Sequence, residues 1–184
     1  LVFAVILLVS GICTGASADF KPQNETAFLT SIGILKGDET EKPNELLSRA
    51  DAAYYALRVM GYTQTPKASS YVYGDVTGET PNADEIAYAL SLGIISEASN
   101  FYPNDKVTVE QFMKMIISGM GYKSIAENHG GYPEGYLEVA GNLGILGKGG
   151  SSNTEGILYS NLDKLLSSIL DAGFLEFSEN GKYE

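Results

Sequence analysis

The stretch that decides the reading runs from Gly93 to Tyr122: GIISEASNFYPNDKVTVEQFMKMIISGMGY. It opens on Gly-Ile-Ile, crosses a polar loop containing Tyr102-Pro103, and enters Thr108-Val109-Glu110-Gln111. A hydroxyl followed three residues later by an amide has the form of a capping box, in which each side chain meets the other residue's backbone N–H at a helix start. Met113, Ile117 and Met120 then fall at i, i+4 and i+7, one apolar stripe of a helix. Gly121 follows where a left-handed residue would end that helix, with Tyr122 placed to pack back on it.

Working outward, the same landmarks recur. Gly-Ile-aliphatic appears as Gly33-Ile34-Leu35, Gly93-Ile94-Ile95 and Gly144-Ile145-Leu146, after the apolar stretches AFLTSI, IAYALSL and YLEVAGNL. A hydroxyl residue lies 15, 15 and 16 positions beyond each glycine, at Ser48, Thr108 and Ser160. Thirteen residues further come Gly61-Tyr62, Gly121-Tyr122 and Gly173-Phe174. The boxes of the outer copies read Ser48-Arg49-Ala50-Asp51 and Ser160-Asn161-Leu162-Asp163, with stripes Ala53, Leu57, Met60 and Leu165, Ile169, Ala172. Coincidence of these landmarks in three copies identifies an internal repeat.

One unit is a helix, a glycine turn, a loop of about a dozen residues and a capped second helix. A helix pair this short cannot bury its own apolar face, so the units are predicted to pack into one all-α core. The predicted units are residues 19–62, 71–122 and 132–174, joined by the polar, turn-rich stretches Thr63–Ser70 and Lys123–Gly131. Residues 175–184 read as a polar tail leading into further sequence. At the other end, LVFAVILLVSGI is apolar and uncharged, and Ala16-Ser17-Ala18 fits a signal-peptidase cut before Asp19. Residues 1–18 are therefore expected to be a signal peptide, and Ile12 before Cys13 does not suit a lipoprotein box.

Composition narrows the function. Twelve Lys+Arg against 23 Asp+Glu give a formal charge of −11, which argues against nucleic acid as a partner. One Cys rules out an internal disulfide framework, and one His rules out any two-His metal motif. His129 reads as a solvated loop residue, and Asp75–Glu79 lacks the spacing of a calcium loop. Gly147–Gly150 lacks the Lys-Ser/Thr that follows a phosphate-cradling loop. No metal, cofactor or catalytic grouping stands out, so the sequence is read as non-enzymatic. Its twelve tyrosines suit packing between units, with stacking on sugar rings as the functional alternative.

These residues resemble the S-layer homology family. The resemblance rests on Tyr73-Gly74-Asp75-Val76, the helix Ile86–Leu92, Gly93-Ile94, Asn100-Phe101-Tyr102-Pro103-Asn104-Asp105 and the box at Thr108, with Ser48-Arg49-Ala50-Asp51 the closest copy of that box. It covers roughly Asp19 to Phe174, with Tyr132 and Tyr136 as loose candidates for the third opening. The resemblance implies a pseudo-threefold helical bundle of three repeats, secreted to a bacterial cell surface. Its inter-repeat grooves would hold an acidic, often pyruvylated, secondary cell-wall polysaccharide, and further domains of the same chain are the usual companions. The box Arg of the family carries over to Arg49 alone, since Val109 and Asn161 stand at the matching positions.

The residues point to the same role independently. A cation one position into a helix, beside the outward-facing N–H groups of the first turn, makes a local anion site. The alternative for Arg49 is a solvated surface Arg paired with Asp38 or Glu45. Arg49, Asp75 and Tyr102 are the candidate glycan-binding residues, Asp75 having a plainer alternative as a partner of loop N–H groups. The rival function is a structural module for protein–protein assembly at the envelope that binds no glycan.

Overall fold

The computed structural model describes residues 24–146 and 156–174, and the expected signal peptide at residues 1–18, the Gly147–Gly150 stretch and the expected polar tail lie outside the described residues. Within them the chain is all-α: α1 (Glu25–Ser31), α2 (Arg49–Val59), α3 (Ala83–Ser91), α4 (Val109–Gly119), α5 (Lys123–Asn128), α6 (Glu134–Asn142) and α7 (Leu162–Asp171). Short 3₁₀ turns occupy Glu39–Glu41 and Tyr159–Asn161. Helix α2 packs on α3 and α4, α4 on α6, α5 on α6, and α1 on α7.

Five helix ends close as the glycine pattern predicts. Gly33, Gly61, Gly93, Gly121 and Gly144 all take positive φ, between 70° and 91°. In each case the N–H of the following residue bonds a carbonyl five positions back, as Ile34 does with Leu29 and Tyr62 with Leu57. That closure satisfies carbonyls a bare helix end would leave open.

The three loops before the second helices meet pairwise. Ser48 bridges Lys106, Thr108 bridges Gly156, and Leu158 bridges Leu46, closing a ring. At its centre Leu47 N–H donates to Ile157 O (2.7 Å) and Val107 N–H to Leu47 O (2.9 Å). Leu47, Val107 and Ile157 are all buried there. Around this ring the predicted stripe residues Ala53, Leu57, Met113, Ile117, Met120, Ile169 and Ala172 are buried, together with the large side chains Tyr55, Phe101, Phe112 and Tyr136.

Thr108 and Gln111 form the full reciprocal box. Ser48 caps the Asp51 amide at 3.0 Å, but the Asp51 carboxylate turns to the Ser48 hydroxyl (2.8 Å) instead of reaching back to the backbone. The third box does not form: Tyr159–Asn161 is a 3₁₀ turn, and α7 starts at Leu162 with no side-chain cap. The ring explains the difference. Its pairing puts Leu158, not Ser160, in the place that Ser48 and Thr108 take in the other two, so the third predicted unit is two residues out of the register its hydroxyl suggests. Backbone hydrogen bonds agree: Arg49 and Ala50 donate to Asp105 and Pro103, as Tyr159 and Ser160 donate to Glu45 and Pro43. The counterpart of Arg49 in the third unit is therefore Tyr159 rather than Asn161. For the same reason Gly173 falls beyond a helix that ends in an extended Ala172, and it has no positive φ. The stretch 123–131, expected as a polar linker, forms α5 over its first six residues.

Candidate functional site

Arg49 is the first residue of α2, and its half-buried side chain crosses to the second unit's loop. Nε donates to Phe101 O at 2.8 Å, and the guanidinium lies 4.9 Å from the centroid of the buried Phe101 ring. Neither Asp38 nor Glu45 pairs with it; Asp38 takes Lys42 at 3.1 Å. Burial draws the Arg49 pKa down while the charges of Asp105 and Asp75 push it up, and a guanidinium starts so high that it stays charged.

This side chain lines a cavity of about 230 Å³ between the units. Tyr73, Ile94, Ile95 and Phe101 of the second unit form its apolar wall; Gln111 and Lys114 of α4 reach it from one side, and Tyr132 closes another. Lys114 Nζ sits 5.2 Å from the Tyr132 ring centroid. Two cations, Arg49 and Lys114, thus face one lining carboxylate, Glu97. Burial pushes the Tyr73 phenol up to about 12, so it stays protonated and donates to Ser96 O at 2.8 Å.

The other two candidates sit differently. Asp75 accepts from the backbone N–H groups of Phe101 and Tyr102, one on each oxygen, both at 2.7 Å. Burial pushes its carboxyl up, but those amides and the Arg49 charge outweigh it and hold the group below the usual carboxylate range. Asp75 therefore shapes the loop that carries Phe101 and does not line the cavity. Tyr102 is 55 % exposed, outside that lining, with a left-handed backbone at φ 59°. Of the three, only Arg49 faces the cavity.

Lys114 and Glu97 are the lining charges that sequence reasoning passed over. The available signal was that Lys114 is the one cation in α4, three residues beyond Gln111 and so on the same face. His129, expected in solvent, is half exposed with Nδ1 3.0 Å from Glu138 Oε1.

The family model of the S-layer homology domain matches residues 72–113, which span the Asp75 loop, Gly93-Ile94 and the start of α4. That segment is an S-layer homology domain. The family is a non-catalytic one that generally anchors proteins to the cell wall, and this segment implies an association with the cell surface. No curated protein matches the chain. Among the described residues no cluster of His, Cys, Asp and Glu could hold a metal ion, and no helix is long and apolar enough to cross a membrane.

Proposed function

We propose that this chain is a non-catalytic anchor that grips an acidic secondary cell-wall polysaccharide in the cavity beneath Arg49. One observation carries the reading: among the described residues Arg49 makes no ion pair, although it is half buried in an acidic protein. A desolvated guanidinium without a carboxylate is costly unless a ligand supplies one, and charge-assisted bonds to a carboxylate are the strong kind. Lys114 adds a second cation, and the Tyr73 and Tyr132 rings offer faces for the sugar. The ring of pairings supports three repeats arranged about one axis, with the units of residues 19–62, 71–122 and 132–174. Secretion through the signal at residues 1–18 would deliver it to the bacterial surface.

The net charge of −11 makes binding local. An acidic polymer is repelled by most of this surface and attracted only where two cations converge. The test is sedimentation of the full chain with purified cell walls. Retention should fall about tenfold or more for Arg49→Ala, the worth of a charge-assisted hydrogen bond. It should also disappear on walls stripped of polysaccharide. Retention that ignores both changes would overturn the proposal and favour protein–protein assembly.

A further inference from the structure

The peptide bond between Phe101 and Tyr102 lies between two opposite charges. Its carbonyl, Phe101 O, accepts from Arg49 Nε at 2.8 Å, and its N–H, that of Tyr102, donates to Asp75 Oδ2 at 2.7 Å. One amide group therefore carries a guanidinium at its acceptor end and a carboxylate at its donor end. The other Asp75 oxygen takes the Phe101 N–H, also at 2.7 Å, and pins the same stretch of loop at a second point.

Charges at the two ends of a peptide polarise it in the same sense, so each bond strengthens the other. The carboxylate draws the N–H proton and leaves more negative charge on the carbonyl that faces Arg49. The direction of titration fits. Against burial, which pushes it up, the Phe101 and Tyr102 amides and the Arg49 charge hold Asp75 below the usual carboxylate range. Arg58 has the contrasting arrangement: one terminal nitrogen is on Tyr62 O and the other on Glu85 Oε1 at 3.3 Å, so a direct ion pair takes up its fork. Among the described residues Arg49 donates only through Nε, and Asp75 lies outside the cavity lining.

We propose that Asp75 is a positioning residue for anion capture by Arg49, acting through the peptide between Phe101 and Tyr102. It fixes the guanidinium beside Phe101 without occupying the two terminal nitrogens that a carboxylate would take. The inference rests on reading the Arg49 cavity as an anion site. It also fixes the sign of an effect. By Coulomb's law alone, removing a negative charge near Arg49 strengthens the binding of an anion. With Asp75 as a positioner, removal weakens it, because Arg49 loses its fixed Nε bond and must be ordered by the ligand instead.

The test is NMR on the full chain, whose arginines are Arg49 and Arg58, so the Nε–H signals are assigned by the one that Arg49→Ala removes. In the wild type a scalar coupling should join Arg49 Nε to the Phe101 carbonyl carbon across the hydrogen bond. Titration with methyl glucuronide, a sugar carboxylate, should move that Nε–H and also the Tyr102 N–H, which faces Asp75 rather than the cavity. An Asn at 75 accepts from one of the two amides but turns a donor toward the other. Asp75→Asn should therefore shift the Arg49 Nε–H and speed its exchange with water about tenfold, leave Arg58 unmoved, and lower glucuronide affinity and wall retention about threefold. Adding Asp75→Asn to Arg49→Ala should cost nothing more, because both act through one guanidinium.

The inference is overturned by no coupling in the wild type, or by a Tyr102 N–H that ignores the glucuronide while Arg49 responds. It is equally overturned by an Asp75→Asn chain that stays folded and binds as well as the wild type or better. The first two outcomes need no variant to fold. If Arg49→Ala leaves wall retention unchanged, the anchoring reading fails separately, and the free-chain signals of Arg49 Nε still report whether Asp75 positions it.

Discussion

The phenol of Tyr159 donates a 2.7 Å hydrogen bond to Asp51 Oδ2, joining residues 108 positions apart. The same carboxylate takes Ser48 Oγ at 2.8 Å on Oδ2, and Lys36 Nζ (2.8 Å) and Asn82 Nδ2 (3.0 Å) on Oδ1. Partners from before α2, from the start of α3 and from the start of α7 therefore converge on one residue. Asp51 was selected by the sequence only as half of a capping box. Its larger work is to tie the starts of α2 and α3 to the turn before α7 around the ring.

That convergence sets an acid limit on stability. Burial pushes the Asp51 carboxyl up, but Lys36 and the Tyr159 and Ser48 hydroxyls outweigh it and bring its pKa from 3.8 to about 2. A depressed carboxyl contributes stability above its unfolded value, and that contribution is lost as pH falls through the folded value. The full contribution should hold above about pH 4 and disappear toward pH 2, amounting to about 2 kcal/mol. Urea melts at pH 5, 3 and 2 check this, and Asp51→Asn should flatten that part of the profile while lowering stability at pH 5. An Asn variant with an unchanged acid slope would show that other carboxylates set it.

Close packing of α5 on α6 makes a second prediction. A Cβ on Gly135 would sit 2.0 Å from Ala126 O and 3.0 Å from His129 O, both backbone atoms that cannot swing aside. The Gly135 N–H already holds Gly131 O at 2.7 Å. Gly135→Ala should therefore destabilise the chain by about 1–3 kcal/mol despite Ala's better helix propensity. Thermal melting measures it, with Gly119→Ala as a milder comparison because only the flexible Met60 side chain crowds that site.

The helices of the first two units were legible because capping hydroxyls, i, i+4, i+7 stripes and terminal glycines all agree there. The third predicted unit shares the sequence landmarks but not the register. Ser160 satisfies the local rule for a cap, yet the ring pairs Leu158 at that position, a tertiary preference no local window contains. Helix α5 was missed because Lys123–Asn128 is short and polar, with Ala126 its one buried side chain. At the site, Arg49 could be read from its place beside a cap. Lys114 and Tyr132 reach the cavity from two other units, and only the packing brings them together.

Tyr102 carries a strain that a packing role does not explain. It holds φ 59° with its ring 55 % exposed, and a side chain in that region costs of order 1 kcal/mol. Gly would relieve the strain but gain entropy when unfolded, so Tyr102→Gly should change stability by less than about 1 kcal/mol. If the ring stacks on glycan beyond the cavity rim, wall retention should fall severalfold at unchanged stability. Unchanged retention would remove Tyr102 from the binding surface.

Arg49 makes the sharpest demand on chemistry, because charge alone does not describe what it does. Its Nε is committed to Phe101 O, and its guanidinium carbon lies over the Phe101 ring. An ammonium carries charge but cannot hold that carbonyl, stack on the ring and still present a fork of donors to a carboxylate. Arg49→Lys should therefore lose most of the wall binding that Arg49→Ala loses, about tenfold, while Val109→Ala at the matching position of α4 leaves it unchanged. Lys114→Ala should give a smaller loss, and raising salt should weaken the wild type more than Lys114→Ala because the variant has one cation fewer to screen. Retention and Kd for an acidic monosaccharide glycoside measure these effects, with melting curves to show each variant folded. If Arg49→Lys binds like the wild type, the cavity recognises charge only, and the stacking and fork geometry at Phe101 serve the fold rather than the ligand.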